Sequence, residues 1–307
     1  MKRRHFIKTS MGAGVATSAA IAFGNIDVLF AGSPAPADLP YDLVAVRNGE
    51  PDVMFDKAIQ SLGGMETFVK PGQKVVIKPN IGWDVSPERA GNTNPLLIKR
   101  IVEHCNNAGA KEVYVFDNTC DEWTKCYKSS QIEELAKEAG AKVVPGNSET
   151  YYREVDIPKG VRLKKAKVHE LILDSDVFIN VPVLKHHSSA DLSIAMKNLM
   201  GVVWDRMYWH RNDLHQCIAD YCTYRKPDLN VIDAYRVMMK NGPRGVSVDD
   251  VVTYKTLIVS TDIVAADAAA ARVFGSAPED IAYIEKAAAL GVGTFDLSNL
   301  NINRIKL

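Results

Sequence analysis

Residues 179–201 read INVPVLKHHSSADLSIAMKNLMG, an apolar run that ends in Lys185, His186 and His187. Lys197 and Asn198 follow, set among Ile194, Met196, Leu199 and Met200. Lysines at the end of a β-branched run or inside a greasy helix need partners if they are buried. A histidine pair beside them is what general acid–base chemistry or a metal would use. Wound at about 100° per residue, a helix over 189–203 puts Leu192, Ala195, Met196, Leu199 and Val203 on one face. Ile194 and Gly201 fall on the other side, around Lys197 and Asn198. A helix apolar on two sides is buried on two sides, which aims Lys197 at a cleft. The alternative is a lysine that snorkels to solvent. Ser188, with Asp191 three residues on, is the expected N-cap of this helix.

Other basic and polar groups follow apolar runs in the same manner. Lys78 and Asn80 end KVVIKPN, and a long polar loop then leads through Thr93 to Asn94-Pro95, a helix start. Asp117 ends EVYVFDN, and Asp233 ends LNVID ahead of Lys240-Asn241-Gly242-Pro243-Arg244-Gly245, whose backbone could form an anion nest. Lys78, Lys185 and Lys197 together suit a carboxylate or phosphate, with amide donors from Asn80 and Asn198. Thr93, Asn241 and Arg244 are further binding candidates. His186, His187, Lys185 and Asp233 are the catalytic candidates. Asp117, Asp233 and His186 are those for a divalent metal. The aromatic and charged stretch 204–211 is expected to cover the substrate or to form an oligomer contact.

These residues need a scaffold that collects them. Strands are expected at 42–47, 74–79, 113–117, 142–145, 171–181, 229–234, 255–260 and 300–306. Helices are expected at 52–62, 95–108, 130–140, 189–203, 212–223, 263–274 and 278–290. Continuous apolar strands alternating with helices mean a largely parallel or mixed sheet covered on both faces: a Rossmann-like α/β fold in one domain over 41–307. In such sheets ligands bind beyond the carboxyl ends of the strands, where these candidates sit. Residues 147–170 are polar and fit an insertion or an edge hairpin. Asp262 should cap the helix at 263, and Asp267 lies in an alanine-rich stretch that must pack closely.

Lys2, Arg3, Arg4 and Lys8 precede a short apolar run over 11–24, and R-R-H-F-I-K matches the twin-arginine export pattern. Residues 1–31 therefore read as a signal, 32–40 as a linker, and the protein as periplasmic or extracellular, delivered by the twin-arginine export machinery. The apolar run is too short to span a bilayer, so no membrane span is expected in the mature protein. The 307-residue chain carries 37 basic and 37 acidic residues. That balance argues against nucleic acid as a partner. Five cysteines without a C-x-x-C pattern write neither a zinc ribbon nor a ferredoxin cluster.

The segments VKPGQKVVIKPN, NTNP, INVPVLKHH…MKNLMG, KPDLNVIDAYRVMMKNGPRG and IVSTDIVAADAAAARVFG, in this order, resemble the Domain of Unknown Function 362 family from about residue 66 to 275. The resemblance implies that Lys78, Asn80, Lys185, Lys197, Asn198, Asp233 and Gly242 sit at motif positions. Some members are described as iron–sulfur proteins through ferredoxin-type cysteine clusters. This chain has none, so an iron–sulfur cofactor does not carry over. Two functions remain: an exported enzyme acting on an anionic small molecule, or a protein that holds a cofactor without turnover, such as a redox partner.

Overall fold

The computed structural model describes residues 41–307; the signal and linker expected over 1–40 lie outside the described residues. Twelve strands are present among them: β1 (Leu43–Arg47), β2 (Lys74–Pro79), β3 (Glu112–Val115), β4 (Lys142–Val143), β5 (Tyr152–Asp156), β6 (Lys165–His169), β7 (Val177–Val181), β8 (Val183–His187), β9 (Asp191–Ser193), β10 (Leu229–Met238), β11 (Val251–Ser260) and β12 (Ile302–Lys306). The helices are α1 (Pro51–Ser61), α2 (Pro95–Asn107), α3 (Trp123–Ser129), α4 (Ile132–Glu138), α5 (Glu170–Asp174), α6 (Ala195–Asn198), α7 (Arg206–Arg211), α8 (Leu214–Cys222), α9 (Ile263–Phe274) and α10 (Ala282–Ala289).

The main sheet runs β12-β1-β11-β10-β7-β2-β3-β4, with β8 paired to β10 and β9 to β8. Its central pairs are parallel, whereas β11 runs antiparallel to both β1 and β10. The sheet is thus mixed but mostly parallel, a single α/β domain of the expected class. Successive strand residues feed two separate cores. Val76, Phe178 and Ile232 join one core with residues of α8, α9 and α10, while Val75, Ile77 and Ile179 join another with residues of α1 and α2. Burial on both faces is why these strands read as unbroken apolar runs. No described helix is long and apolar enough to cross a membrane.

Chain order makes one place special. β2, β3 and β4 advance toward one edge, and β7 then returns to the other side of β2. The direction of winding reverses between β2 and β7, where parallel sheets open a crevice. Two prolines widen it. Pro79 and Val181 form the last β2–β7 pair, and Pro182 follows at once. Without an N–H, Pro182 cannot extend the ladder. The chain continues as β8, which leaves β2 and pairs with β10 instead.

Several expected elements differ. Residues 170–174 form the short helix α5, because the apolar run has a break at Ser175-Asp176 before β7. The helix expected over 189–203 is only α6 and a 3-10 turn at Leu199–Val202, with β9 before them. Ser188 is therefore not its N-cap; the Asp267 carboxylate on α9 accepts the Ala195 and Met196 amides instead. Residues 152–169 make a two-stranded sheet of their own. Asp262 caps α9 as expected, accepting from the Val264 and Ala265 amides.

Candidate functional site

A cleft of about 490 Å³ opens where β2 and β8 part. Its lining includes Lys78 and Asn80 after β2, Asp117 and Cys120 after β3, Lys185 and His187 from β8, and Lys197 and Asn198 from α6. Arg206, Met207 and His210 of α7 form one wall. A depression of about 540 Å³ beside β6 holds Lys165 and Lys167. Those exposed lysines already pair with Glu154 and Glu149.

Lys78, 1% exposed, is paired with Asp117 Oδ1 at 2.9 Å. Its Nζ also donates to Asn198 Oδ1 at 2.7 Å. Asp117 Oδ2 accepts the Ile81 amide, so the carboxylate is fixed from two sides. Burial pushes the Lys78 pKa down and the Asp117 pKa up, opposed by their mutual attraction. Gly201 packs on this pair: a Cβ there would lie 1.9 Å from Asp117 Oδ1.

The asparagines hold the cations in place. Asn198 Oδ1 also accepts from Asn80 Nδ2, while Asn198 Nδ2 donates to Asn180 Oδ1 at 2.8 Å. Asn80 Oδ1 in turn accepts from Lys185 Nζ at 3.2 Å. Both amides are thus committed to the protein, and their part is to position the lysines. The Thr93 hydroxyl donates to the Val181 carbonyl and accepts the Asn80 amide, bracing the crevice from behind.

Lys185 and Lys197 are different. Lys185 is buried, with Nζ donating to Gly91 O at 2.6 Å and to Asn80 but to no carboxylate. Burial lowers its pKa to about 7, with nearby Lys197 adding to the effect and Cys120 opposing it. Lys197 is partly exposed in the cleft and makes no hydrogen bond or ion pair among the described residues. Burial of its amine lowers it to about 8; the charges of Arg206 and Lys78 contribute, and Cys120 opposes. Asp117 is the one acidic residue on the cleft lining, and Lys78 already holds it. Arg206 is anchored by the carbonyls of Asn118 and Thr119, so its charge stays beside the cleft.

His187 Nδ1 accepts from the Ser189 amide at 3.2 Å, which places the ring proton on Nε2. Burial, then the charges of Lys197 and Lys185, push its pKa to about 2, so the ring stays neutral. His187 and His210 stack at 6.4 Å between centroids.

Other sequence candidates lie apart. His186 Nδ1 accepts the Gly242 amide, outside the cleft lining. Asp233 accepts the Asn94 and Tyr235 amides and does not face the cleft. Asn241 donates to Asp250, and Arg244 pairs with Asp121 at 3.3 Å. Within the turn the Gly242 amide goes to His186 Nδ1 and the Gly245 amide to Asn241 O, and the Val246 and Ser247 amides beyond it are taken by Asp250. Asp117, Asp233 and His186 are not brought together, and no described group of three or more His, Cys, Asp or Glu residues is placed to hold a metal ion. Sequence reasoning did not single out Cys120 or the supporting role of Asp267, and it reached Arg206 and His210 only as part of the 204–211 stretch expected to cover the substrate or form an oligomer contact. Cys120 could have been found, since it follows Asp117 in the same strand-end loop. Which residues of 204–211 reach the cleft depends on where α7 packs, and local pattern does not fix that.

A family model described as a domain of unknown function (DUF362) matches residues 75–272. A thylakoid-associated protein of Synechocystis sp. is 27% identical over 193 residues, covering 60% of this chain and 59% of that protein. The match thus spans less than two thirds of that relative's length. Among solved structures, the lactate racemase apoprotein from Thermoanaerobacterium thermosaccharolyticum superposes with a TM-score of 0.45 at 12% identity, covering 82% of this chain and 58% of that one. A Thermotoga maritima protein gives a TM-score of 0.44 at 13% identity, covering 79% and 60%. Likenesses this distant carry nothing about activity.

Proposed function

The chain belongs to the DUF362 family, and from the chemistry of its cleft we propose that it binds an anionic small molecule there and acts on it as an enzyme. One observation carries this reading: Lys185 and Lys197 face a single cleft, and among the described residues no carboxylate pairs with either, Asp117 being held by Lys78. Unneutralised buried cations are costly, and a protein keeps them where a ligand supplies the missing charge. A protonated Lys185 has three N–H groups, of which Gly91 and Asn80 take two, leaving one for a carboxylate or phosphate oxygen. His187 Nε2–H adds a neutral donor, and Arg206 of α7 keeps a positive charge beside the cleft.

The Arg3-Arg4-His5-Phe6-Ile7-Lys8 pattern extends the proposal to an exported enzyme that works outside the cytoplasm. The test is anion binding, followed by ligand-induced shifts in Tm with inorganic phosphate and simple carboxylates. Wild-type protein should be stabilised by at least one class. Replacing Lys185 or Lys197 by Met should weaken that shift at least tenfold in ligand concentration. Unchanged binding in both variants would remove the cleft as the site.

A further inference from the structure

We propose that Lys197 is a covalent anchor: its side-chain amine condenses with the carbonyl group of a 2-oxo carboxylate to form an imine. This deepens the anion-cleft reading and rests on it. The choice among the three lysines follows from what each would lose. Lys78 is held by Asp117 and Asn198, and using its nitrogen would strand a buried carboxylate. Lys185 donates to Gly91 O and Asn80 Oδ1. An imine nitrogen keeps at most one hydrogen, so at least one of those acceptors would be left without its donor. Lys197 has no partner among the described residues, and its conversion strands nothing.

An amine attacks only when it is unprotonated. The surroundings of Lys197 favour that form, because desolvation and the charges of Arg206 and Lys78 all disfavour a further cation. A lysine placed beside other cations in a desolvated pocket is the usual activated amine nucleophile.

The cleft also selects the electrophile. Lys185 and the Nε2–H of His187 offer donors to a carboxylate on the same lining as Lys197. A 2-oxo acid places its anion and its electrophilic carbon one bond apart, so both can be met in one small cleft. In the reaction, the Nζ lone pair forms an N–C bond to the 2-oxo carbon. The carbonyl π pair moves to oxygen, which takes a proton from nitrogen. The resulting carbinolamine loses that oxygen as water, together with the second amine proton, and a C=N bond remains. One water leaves, and nothing is oxidised or reduced.

The imine can be trapped. Full-chain protein would be treated near neutral pH with sodium cyanoborohydride and, separately, glyoxylate, 2-oxobutyrate or 2-oxoglutarate. The hydride converts an imine into a stable secondary amine, which peptide mass spectrometry locates. The expected result is a single adduct on Lys197 with at least one of these acids. Lys197→Arg, which keeps the positive charge but cannot form the imine, should lose the adduct with each of these acids. Shifts in Tm with 2-hydroxybutyrate, which has the carboxylate but no carbonyl, run in parallel. Binding of both acid types with no adduct, or with an adduct on another lysine, overturns the imine and leaves the anion cleft standing. No binding of any of these acids, of simple carboxylates or of phosphate overturns both.

Discussion

The Asp267 carboxylate accepts the Ala195 amide at 2.7 Å, although 72 positions separate the two residues. Its second oxygen accepts the Met196 amide at 3.0 Å. The two bonds tie α9 to the first turn of α6, whose next residues are Lys197 and Asn198. α6 has four residues and no side-chain cap of its own, so this carboxylate substitutes for the missing cap. Burial raises its pKa to about 8, against the pull of the two amides.

Asp267→Asn should therefore loosen the helix that presents Lys197. The variant sets an NH₂ group against one buried amide, at a cost of about 1–3 kcal/mol. Urea unfolding should show that loss, and anion titration should show weaker binding by a protein that remains folded. Unaltered affinity would mean that Asp267 serves stability alone.

The Lys78–Asp117 pair should be strongly coupled. Asp117→Asn leaves a buried ammonium without its counter-charge, and losses of about 3–5 kcal/mol are typical when one member of such a pair is removed. Lys78→Met combined with Asp117→Asn should lose less than the sum of the single changes. A double-mutant cycle by chemical denaturation measures this.

Gly201→Ala should disturb the same pair from the backbone side. A new Cβ would lie 1.9 Å from Asp117 Oδ1 and 2.5 Å from Lys78 Nζ. Overpacking of this kind costs about 1–3 kcal/mol. Thermal unfolding should report a lower Tm, with little change in secondary structure.

Anion affinity should fall as pH rises. Lys185 at about 7 and Lys197 at about 8 lose their charge in that range, and with it their pull on an anion. Calorimetry in buffers of different ionisation enthalpy should detect proton uptake on binding near neutral pH. Affinity that is flat from about pH 6 to about 9, one unit outside these values on either side, would contradict the two lysines as the binding cations.

The same shifts set the stability of the empty protein. Both folded-state values lie below the 10.5 of an ordinary lysine, so between them and 10.5 the unfolded chain binds more protons. Stability should therefore rise with pH from about 7 toward 10.5, and the lysines' destabilising effect should be fully present below that window. Lys197→Met, which strands no partner among the described residues, should raise Tm at neutral pH while weakening anion binding, the trade expected of a site built for function. A lower Tm would contradict this.

Much of the scaffold was legible. KVVIKP and VFINV are apolar without alternation because two cores cover them, and Asn94-Pro95 starts α2 where expected. Lys78, Lys185 and Lys197 stood out because charge inside an apolar pattern is itself a signal, and the fold brings all three to one cleft. The failures lie where local pattern and long-range contact disagree. Residues 189–194 carry a helical spacing, yet β9 forms there because β8 offers a strand to pair with. Asp233 and His186 looked like rim groups, but backbone amides hold them elsewhere.

The sequence by itself determined the class of fold and the strand ends at which cationic groups would gather. It could do so because burial on two faces and the scarcity of buried charge leave marks at each position separately. Only the tertiary structure decided which lysines are neutralised. Lys78 meets Asp117 across β2 and β3, Lys185 meets two neutral acceptors, and Lys197 meets no partner among the described residues. Pairing depends on distances between distant segments of chain, and residue type and spacing do not encode those distances.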